Sequence, residues 1–172
     1  ILFMTYNVYN KTNLTLLHKR YFILILCFQE VTMGKLYLVR HGESEWNILS
    51  KVQGQIDTKL TDIGKEQARR AANRLSEEKV DIIFSSDLSR AYETAMIIGD
   101  RLGLEVNTFE ELREIKFGVW EGLTTQEILD QYKKEHTIWM TEPHNLKLPE
   151  AERLIDLQER LLRIVNILLK DN

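Results

Sequence analysis

The chain has 172 residues, enough for one domain with a sizeable core. Charged residues make up 28% and apolar residues 44%, a balance usual in soluble globular proteins. The net charge of -3 leaves no general basic field for nucleic acid or an anionic membrane, so any cationic site must be local.

Residues 1–32 differ in character from the rest of the chain. They carry Lys11, Lys19, Arg20 and Glu30 and are rich in Asn, Tyr, Leu, Ile, Phe and Thr. Tyr21 to Phe28 is an eight-residue apolar run, far too short to span a bilayer. A secretory signal is the alternative, but no small-x-small cleavage pattern comes after the run. The single cysteine, Cys27, excludes an internal disulfide framework. No cysteine follows it, which also excludes a thiolate nucleophile or thiolate metal site downstream. A reduced, cytoplasmic setting is the simplest reading. Met33 stands directly before Gly34, so residues 1–32 are expected to be an upstream extension outside the fold, with one domain over 33–172.

From Met33 the pattern alternates strand and helix. Leu36 to Val39 is a short apolar, β-branched and aromatic run, and predicts a buried strand over 35–40. Arg40, His41 and Gly42 come next with no spacer. In open α/β sheets ligands bind where a parallel strand opens into its loop. Gly42 would let a ligand approach the backbone. Arg40 can grip an anion in a fork of hydrogen bonds. His41 can serve as nucleophile, base or donor. Taken alone, the three residues read better as a strand-end Arg and a hydrogen-bonded surface His.

Thr61 is a good N-cap for a helix to about Glu78, with Ile63, Ala68, Ala71, Ala72 and Leu75 on one face. Val80 to Phe84 predicts a second buried strand. Asp87 can cap a helix from Leu88 to Leu102, which Gly103 stops. Glu105 to Thr108 is a short third strand, and Leu112 to Leu123 an irregular aromatic loop. Helices near Thr124–His136 and Ala151–Lys170 complete the chain. Strands separated by helices predict an α/β domain: three layers, with a mostly parallel sheet flanked by helices and right-handed crossovers.

Arg90 falls in the first turn of the second long helix, just beyond a strand end, as Arg40 does. A helix N-terminus presents free N–H groups to an anion, so two arginines from neighbouring strand ends can converge on one phosphate. Glu114 sits among Leu112-Arg113-Glu114-Ile115, Phe117-Gly118 and Trp120-Glu121-Gly122. Beside an aromatic, partly dry site a carboxyl has a route to a raised pKa and could give a proton to a leaving oxygen. Each residue alone is better explained as a surface charge, Arg90 on a solvated helix face and Glu114 paired with Arg113 or Lys116.

Together the motifs resemble the histidine phosphatase superfamily, also called the phosphoglycerate-mutase-like family. They are Val39-Arg40-His41-Gly42-Glu43-Ser44, Trp46-Asn47, Gly54-Gln55 with Asp57, Leu60-Thr61, Phe84 to Ala91 with Thr94-Ala95, and Leu112 to Gly122. The likeness runs in order from about Met33 to Asn172. It implies the phosphoglycerate-mutase-like fold and a phosphohistidine mechanism. His41 would attack phosphorus. Arg40 and Arg90 would hold the phosphoryl oxygens. Glu114 would protonate the leaving alcohol and then activate water. Asn47 matches a position that contacts the transferring group. Glu43, Ser44, Gln53, Gly54 and Tyr92 are further candidates for lining the pocket. The resemblance implies no metal and no cofactor, and a small phosphorylated metabolite as the partner.

The family's second catalytic histidine is expected to follow an apolar strand after the last helix, about ten residues past Asn172. His136 and His144 do not fit that slot. The last core strand, beside the first one, is therefore expected to be missing, leaving the first strand with an unpaired apolar edge. Ala151-Glu152-Arg153 stands where the family often has Gly-Glu-Ser. Phe117 to Gly122 resembles the phosphatase branch, with alpha-ribazole phosphatases and broad-specificity phosphatases both similar. The leading expectation is a phosphomonoesterase. The alternatives are a phosphoglycerate mutase and an inactive phosphate-binding fragment.

Overall fold

The computed structural model describes residues 2–7 and 34–170 of the chain. The first strand, β1 (Leu2–Asn7), is followed by β2 (Gly34–Val39) and a one-turn helix α1 (Glu45–Ile48). Next come α2 (Asp62–Leu75), β3 (Ile82–Ser85), α3 (Ser89–Leu102) and β4 (Val106–Thr108). After an irregular stretch come α4 (Thr125–Gln131), α5 (Lys133–Thr141) and α6 (Leu154–Lys170).

Local chemistry sets these boundaries. Thr61 opens α2 by accepting the Gly64 N–H at 3.0 Å. Gly103 closes α3 in the left-handed conformation, φ 70°. The helix expected over 124–136 is broken at Tyr132 (φ −133°, ψ 39°), which separates α4 from α5. Asp87 does not cap α3 as expected. Its carboxylate binds Arg113, while Asp57 reaches across and takes the Ser89 N–H at 2.7 Å and the Ser89 hydroxyl at 2.6 Å.

The sheet has the order β2-β1-β3-β4. The chain forms three layers. On one face Ile83 packs with Ala72, Leu75, Ala95 and Ile98 of α2 and α3, joined by Tyr37 and Val39. On the other, Phe84 packs with Leu157, Leu161, Ile164, Val165 and Leu168 of α6, together with Leu112 and Ile115. Burying such apolar faces is the main favourable term for a fold of this kind.

Three expectations need correction. Leu2–Asn7, expected outside the fold, stands inside the sheet, while residues 8–33, with Cys27 and the Tyr21–Phe28 run, lie outside the described residues. β1 pairs along all of β2, from Leu2↔Val39 to Asn7↔Gly34, and also with Ile82–Ser85 of β3. Two facing rows of backbone N–H and C=O groups demand such a partner. The edge of β2 that faces β3, expected to lie open, is therefore paired with β1. The sheet is also less parallel than expected. β2, β3 and β4 share a direction, but β1 runs against its neighbours and only the β3–β4 pairing is parallel. Finally, the first apolar run is not wholly buried. Leu36 and Leu38 are 38% and 58% exposed, on the face opposite Tyr37 and Val39.

No helix among the described residues is long and apolar enough to cross a membrane.

Candidate active site

β2 delivers Arg40 and His41 to the mouth of the sheet. His41 is half-buried, and its Nδ1 lies 2.7 Å from the carbonyl oxygen of Gly42. A carbonyl only accepts, so Nδ1 carries the proton and Nε2 keeps its lone pair. Burial pushes the His41 pKa from 6.5 down to about 4. The hydrogen bond to Gly42 opposes that shift, and the positive charges of Arg90 and Arg40 add to it. His41 is thus a neutral imidazole near pH 7, flanked by two cations.

Gly42 is buried, and its missing side chain serves packing rather than a ligand. A Cβ there would lie 2.3 Å from the carbonyl oxygen of Gly64, at the start of α2. The Gly42 N–H donates to Thr94 Oγ1 at 3.1 Å, and the Thr94 hydroxyl donates to the carbonyl of Arg90 at 2.7 Å. The loop after β2 is in this way tied to α3.

Arg90 is only 2% exposed, although taken alone in the sequence it reads better as a surface Arg. Its Nη1 donates to the Ile56 carbonyl at 2.8 Å and its Nη2 to the Gly54 carbonyl at 2.7 Å. Burial lowers its pKa, and the carboxylates of Glu114, Asp57 and Glu121 act against that. These carboxylates therefore stand within electrostatic reach of the buried guanidinium.

Glu114 is exposed, so the dry surroundings expected for it are absent. Its Oε1 accepts the N–H of Ile115 at 2.9 Å. Its carbonyl accepts from Gln55 Nε2 and from Arg160 Nη2, each at 3.1 Å. Arg113, next to it, forms the bidentate pair with Asp87. Glu121 Oε1 accepts the backbone N–H groups of Gln55 and Phe117, each at 2.9 Å. Gly54 abuts this carboxylate: a Cβ would lie 1.9 Å from Glu121 Oε1, and its φ of 51° also suits glycine. Residues 53–57 thus join Arg90, Glu114 and Glu121 into one framework.

Of the other candidates, Ser44, Asn47 and Gln53 are joined to one another beside that framework. Ser44 caps α1, and Asn47 closes the capping box by accepting from the Ser44 N–H at 2.9 Å. Gln53 Oε1 accepts from the hydroxyls of Ser44 at 2.7 Å and Thr58 at 2.5 Å. Glu43 accepts the Thr61 hydroxyl at 2.8 Å, and its N–H binds Gln67. These residues hold the loop, which leaves the Asn47 amide N–H groups as donors for an anion. Tyr92 is 40% exposed on α3.

An aromatic group backs the Glu114 segment. Phe117 stacks on Trp120 at 6.2 Å and meets the edge of Trp139 at 5.2 Å. His136 lies 6.4 Å from Trp120, ring to ring, and His144 is exposed in the turn after α5. A cavity of about 200 Å³ beside them is lined by Phe117, Trp139, Leu146, Leu148, Lys116 and Lys147. Among the described residues no cluster of three or more His, Cys, Asp or Glu side chains could hold a metal.

Sequence reasoning missed Arg160, Glu121 and Thr94 as partners of these groups. Arg160 carried a signal only in hindsight: it lies one turn beyond Leu157 on the half-buried face of α6.

Comparison with known proteins places the chain in a family. The profile of the histidine phosphatase superfamily (branch 1) matches residues 36–172. Phosphoserine phosphatase 1 of Hydrogenobacter thermophilus is 40% identical over 129 residues, covering 75% of this chain and 61% of that protein. A mycobacterial glucosyl-3-phosphoglycerate phosphatase structure, complexed with VO3, superposes with a TM-score of 0.71 at 34% identity, over 77% of this chain and 63% of that one. The alpha-ribazole phosphatase of Shigella flexneri does so with a TM-score of 0.68 at 26% identity, over 77% and 65%. The chain spans about three fifths of the length of the curated relatives it matches.

Proposed function

The chain belongs to the histidine phosphatase superfamily, branch 1, and on that premise we propose that it is a phosphomonoesterase acting on a small phosphorylated metabolite through a phosphohistidine at His41. The observation that carries this reading is the setting of His41: its Nδ1 lies 2.7 Å from the Gly42 carbonyl, which leaves Nε2 to act, and burial with the charges of Arg90 and Arg40 holds the ring neutral near pH 7. An imidazole so prepared needs no prior loss of a proton before it attacks.

In the first step the Nε2 lone pair forms the N–P bond as the P–O bond to the leaving alcohol breaks. Glu114 gives that oxygen its proton. Its Oε1 is occupied by the Ile115 N–H, so Oε2 is the oxygen that carries and releases the proton. In the second step water attacks phosphorus, Glu114 takes the water proton, and the N–P bond breaks to restore His41. The two arginines play different parts. Arg40 is exposed and can fork onto the phosphoryl oxygens. Arg90 is fixed by the Gly54 and Ile56 carbonyls and supplies a preorganised charge, with the second N–H of each Nη still to give. Asn47 would add an amide donor. The reaction as written uses no metal and no cofactor.

Relatives named as phosphatases, at 40% and 34% identity, support hydrolysis, while relatives named for phosphoglycerate mutase, at 48% and 36%, keep transfer to a second position of the substrate as the alternative. Their named substrates differ, so the metabolite is left open at the level of class. The test is release of phosphate from p-nitrophenyl phosphate by the full chain in the presence of a chelator, with alkaline-quench trapping of a protein phosphate that is stable in base and labile in acid. Turnover that is lost in His41→Ala together with the trapped phosphate is expected. Undiminished turnover in His41→Ala overturns the assignment. Isomerisation of 3-phosphoglycerate with a bisphosphoglycerate primer, without net phosphate release, would instead make the protein a mutase.

A further inference from the structure

Arg160 stands on α6, on a different element from every residue given a chemical role above. Its side chain and that of Glu152 are each only 15% exposed. All five guanidinium N–H groups are used. Nε and Nη2 donate to the two oxygens of Glu152 at 2.5 and 2.8 Å. Nη1 donates to the carbonyls of Glu111 at 2.6 Å and Arg113 at 2.9 Å. Nη2 also donates to the carbonyl of Glu114 at 3.1 Å. Glu152 continues the grip: its N–H donates to the Lys116 carbonyl at 2.8 Å, and its Oε2 accepts the Lys116 N–H at 3.4 Å. The pair thus touches the backbone on both sides of Glu114 and at Glu114 itself.

We propose that Arg160, oriented by Glu152, is a positioning residue for Glu114, fixing the backbone from which the acid/base carboxylate reaches the leaving oxygen. The inference rests on the reading of Glu114 as that acid/base. A partly buried ion pair is a poor source of net stability, because desolvating two charges offsets much of their attraction. It is a good source of geometry, because the guanidinium fork fixes direction as well as distance. Glu114 is exposed and packs little of its own surface, so its aim depends on its backbone. A misplacement of about 1 Å at such a group costs on the order of a hundredfold in rate. This also gives a role to Ala151-Glu152-Arg153: the glutamate between the two altered residues is the one that holds Arg160.

Two measurements on the full chain test this. The first compares p-nitrophenyl phosphate, whose leaving group departs readily as an anion, with glycerol 2-phosphate, whose alkoxide needs a proton. Arg160→Gln is expected to lower kcat for the alkyl ester about tenfold more than for the aryl ester, with KM little changed. Arg160→Lys should recover part of that loss, and Glu114→Gln should show the same leaving-group bias. Bias in Glu114→Gln with equal losses on both esters in Arg160→Gln overturns the positioning role alone. Absence of bias in Glu114→Gln overturns the reading of Glu114 and this inference with it.

The second measurement needs no turnover. Amide hydrogen exchange over 111–116 should speed up about tenfold in Arg160→Gln, while α2 and α3 keep their protection. Unchanged exchange over 111–116 overturns the proposal. If Arg160→Gln does not fold, Glu152→Gln decides: the same local acceleration supports the proposal, and its absence overturns it.

Discussion

The buried guanidinium of Arg90 donates to the carbonyl of Gly54 across 2.7 Å, which makes one residue both a structural tie and a fixed charge. Arg90→Met should therefore fail in two ways. Two loop carbonyls lose a charged donor, which costs about 3 kcal/mol in a denaturant melt. The charge beside His41 is lost as well, so its imidazole should titrate at higher pH. NMR titration of the His41 ring in the variant checks the second effect, and an unmoved titration would count against Arg90 as its neighbour.

The His41 shift has a defined sign. The unfolded ring takes up its proton near 6.5 and the folded ring only near 4. Acid between those values therefore protonates the unfolded chain first and lowers stability. The contribution is present in full above 6.5 and is lost as the pH falls to 4. His41→Asn should flatten this part of the stability–pH curve in urea melts at a series of pH values. The acid limb of turnover should lie near pH 4 rather than near 6.5.

Gly42→Ala tests the close approach to α2. Its Cβ would fall 2.3 Å from the Gly64 oxygen, a backbone atom that cannot swing away. Overpacking of this kind costs about 1–3 kcal/mol. Thermal melts should show the loss without any ligand present. Gly103→Ala, at a position with open space and φ 70°, should cost less, about 1 kcal/mol.

Glu121 offers a paired comparison. Its Oε1 satisfies two backbone N–H groups, from Gln55 and Phe117. Glu121→Gln keeps an acceptor at that place and should be nearly neutral. Glu121→Ala leaves both groups without it and should cost about 2 kcal/mol. Equal losses in the two variants would show that charge, not the hydrogen bonds, is what matters there.

Much of the site was legible because its residues are local. Strand, Arg40, His41 and Gly42 are consecutive, and Arg90 follows its own strand within one helical turn. The layers were legible too, from periodic apolar positions such as Ala68, Ala72 and Leu75. What the sequence hid is carried by side chains that act across the fold. Asp57 rather than Asp87 takes the first N–H of α3, because the loop from residue 53 folds over that helix start. Ile63 shares the spacing of the buried residues of α2, yet is 61% exposed at the helix start. β1 was hidden for another reason: Leu2 to Asn7 has no strict alternation, and its place is set by the two strands that flank it rather than by its own pattern.

The stack of Phe117 on Trp120 has an optical consequence. Trp120 is only 2% exposed, and an indole shut away from water emits toward the blue. It sits six residues after Glu114, in the segment that Glu121 and Lys116 tie to the rest of the site. The protein therefore carries a native fluorophore at its proposed proton-transfer loop. Rearrangement of that loop when an anion arrives should be readable as a change in emission, with no label attached, and a Trp120→Phe variant isolates the share of the signal that comes from this ring.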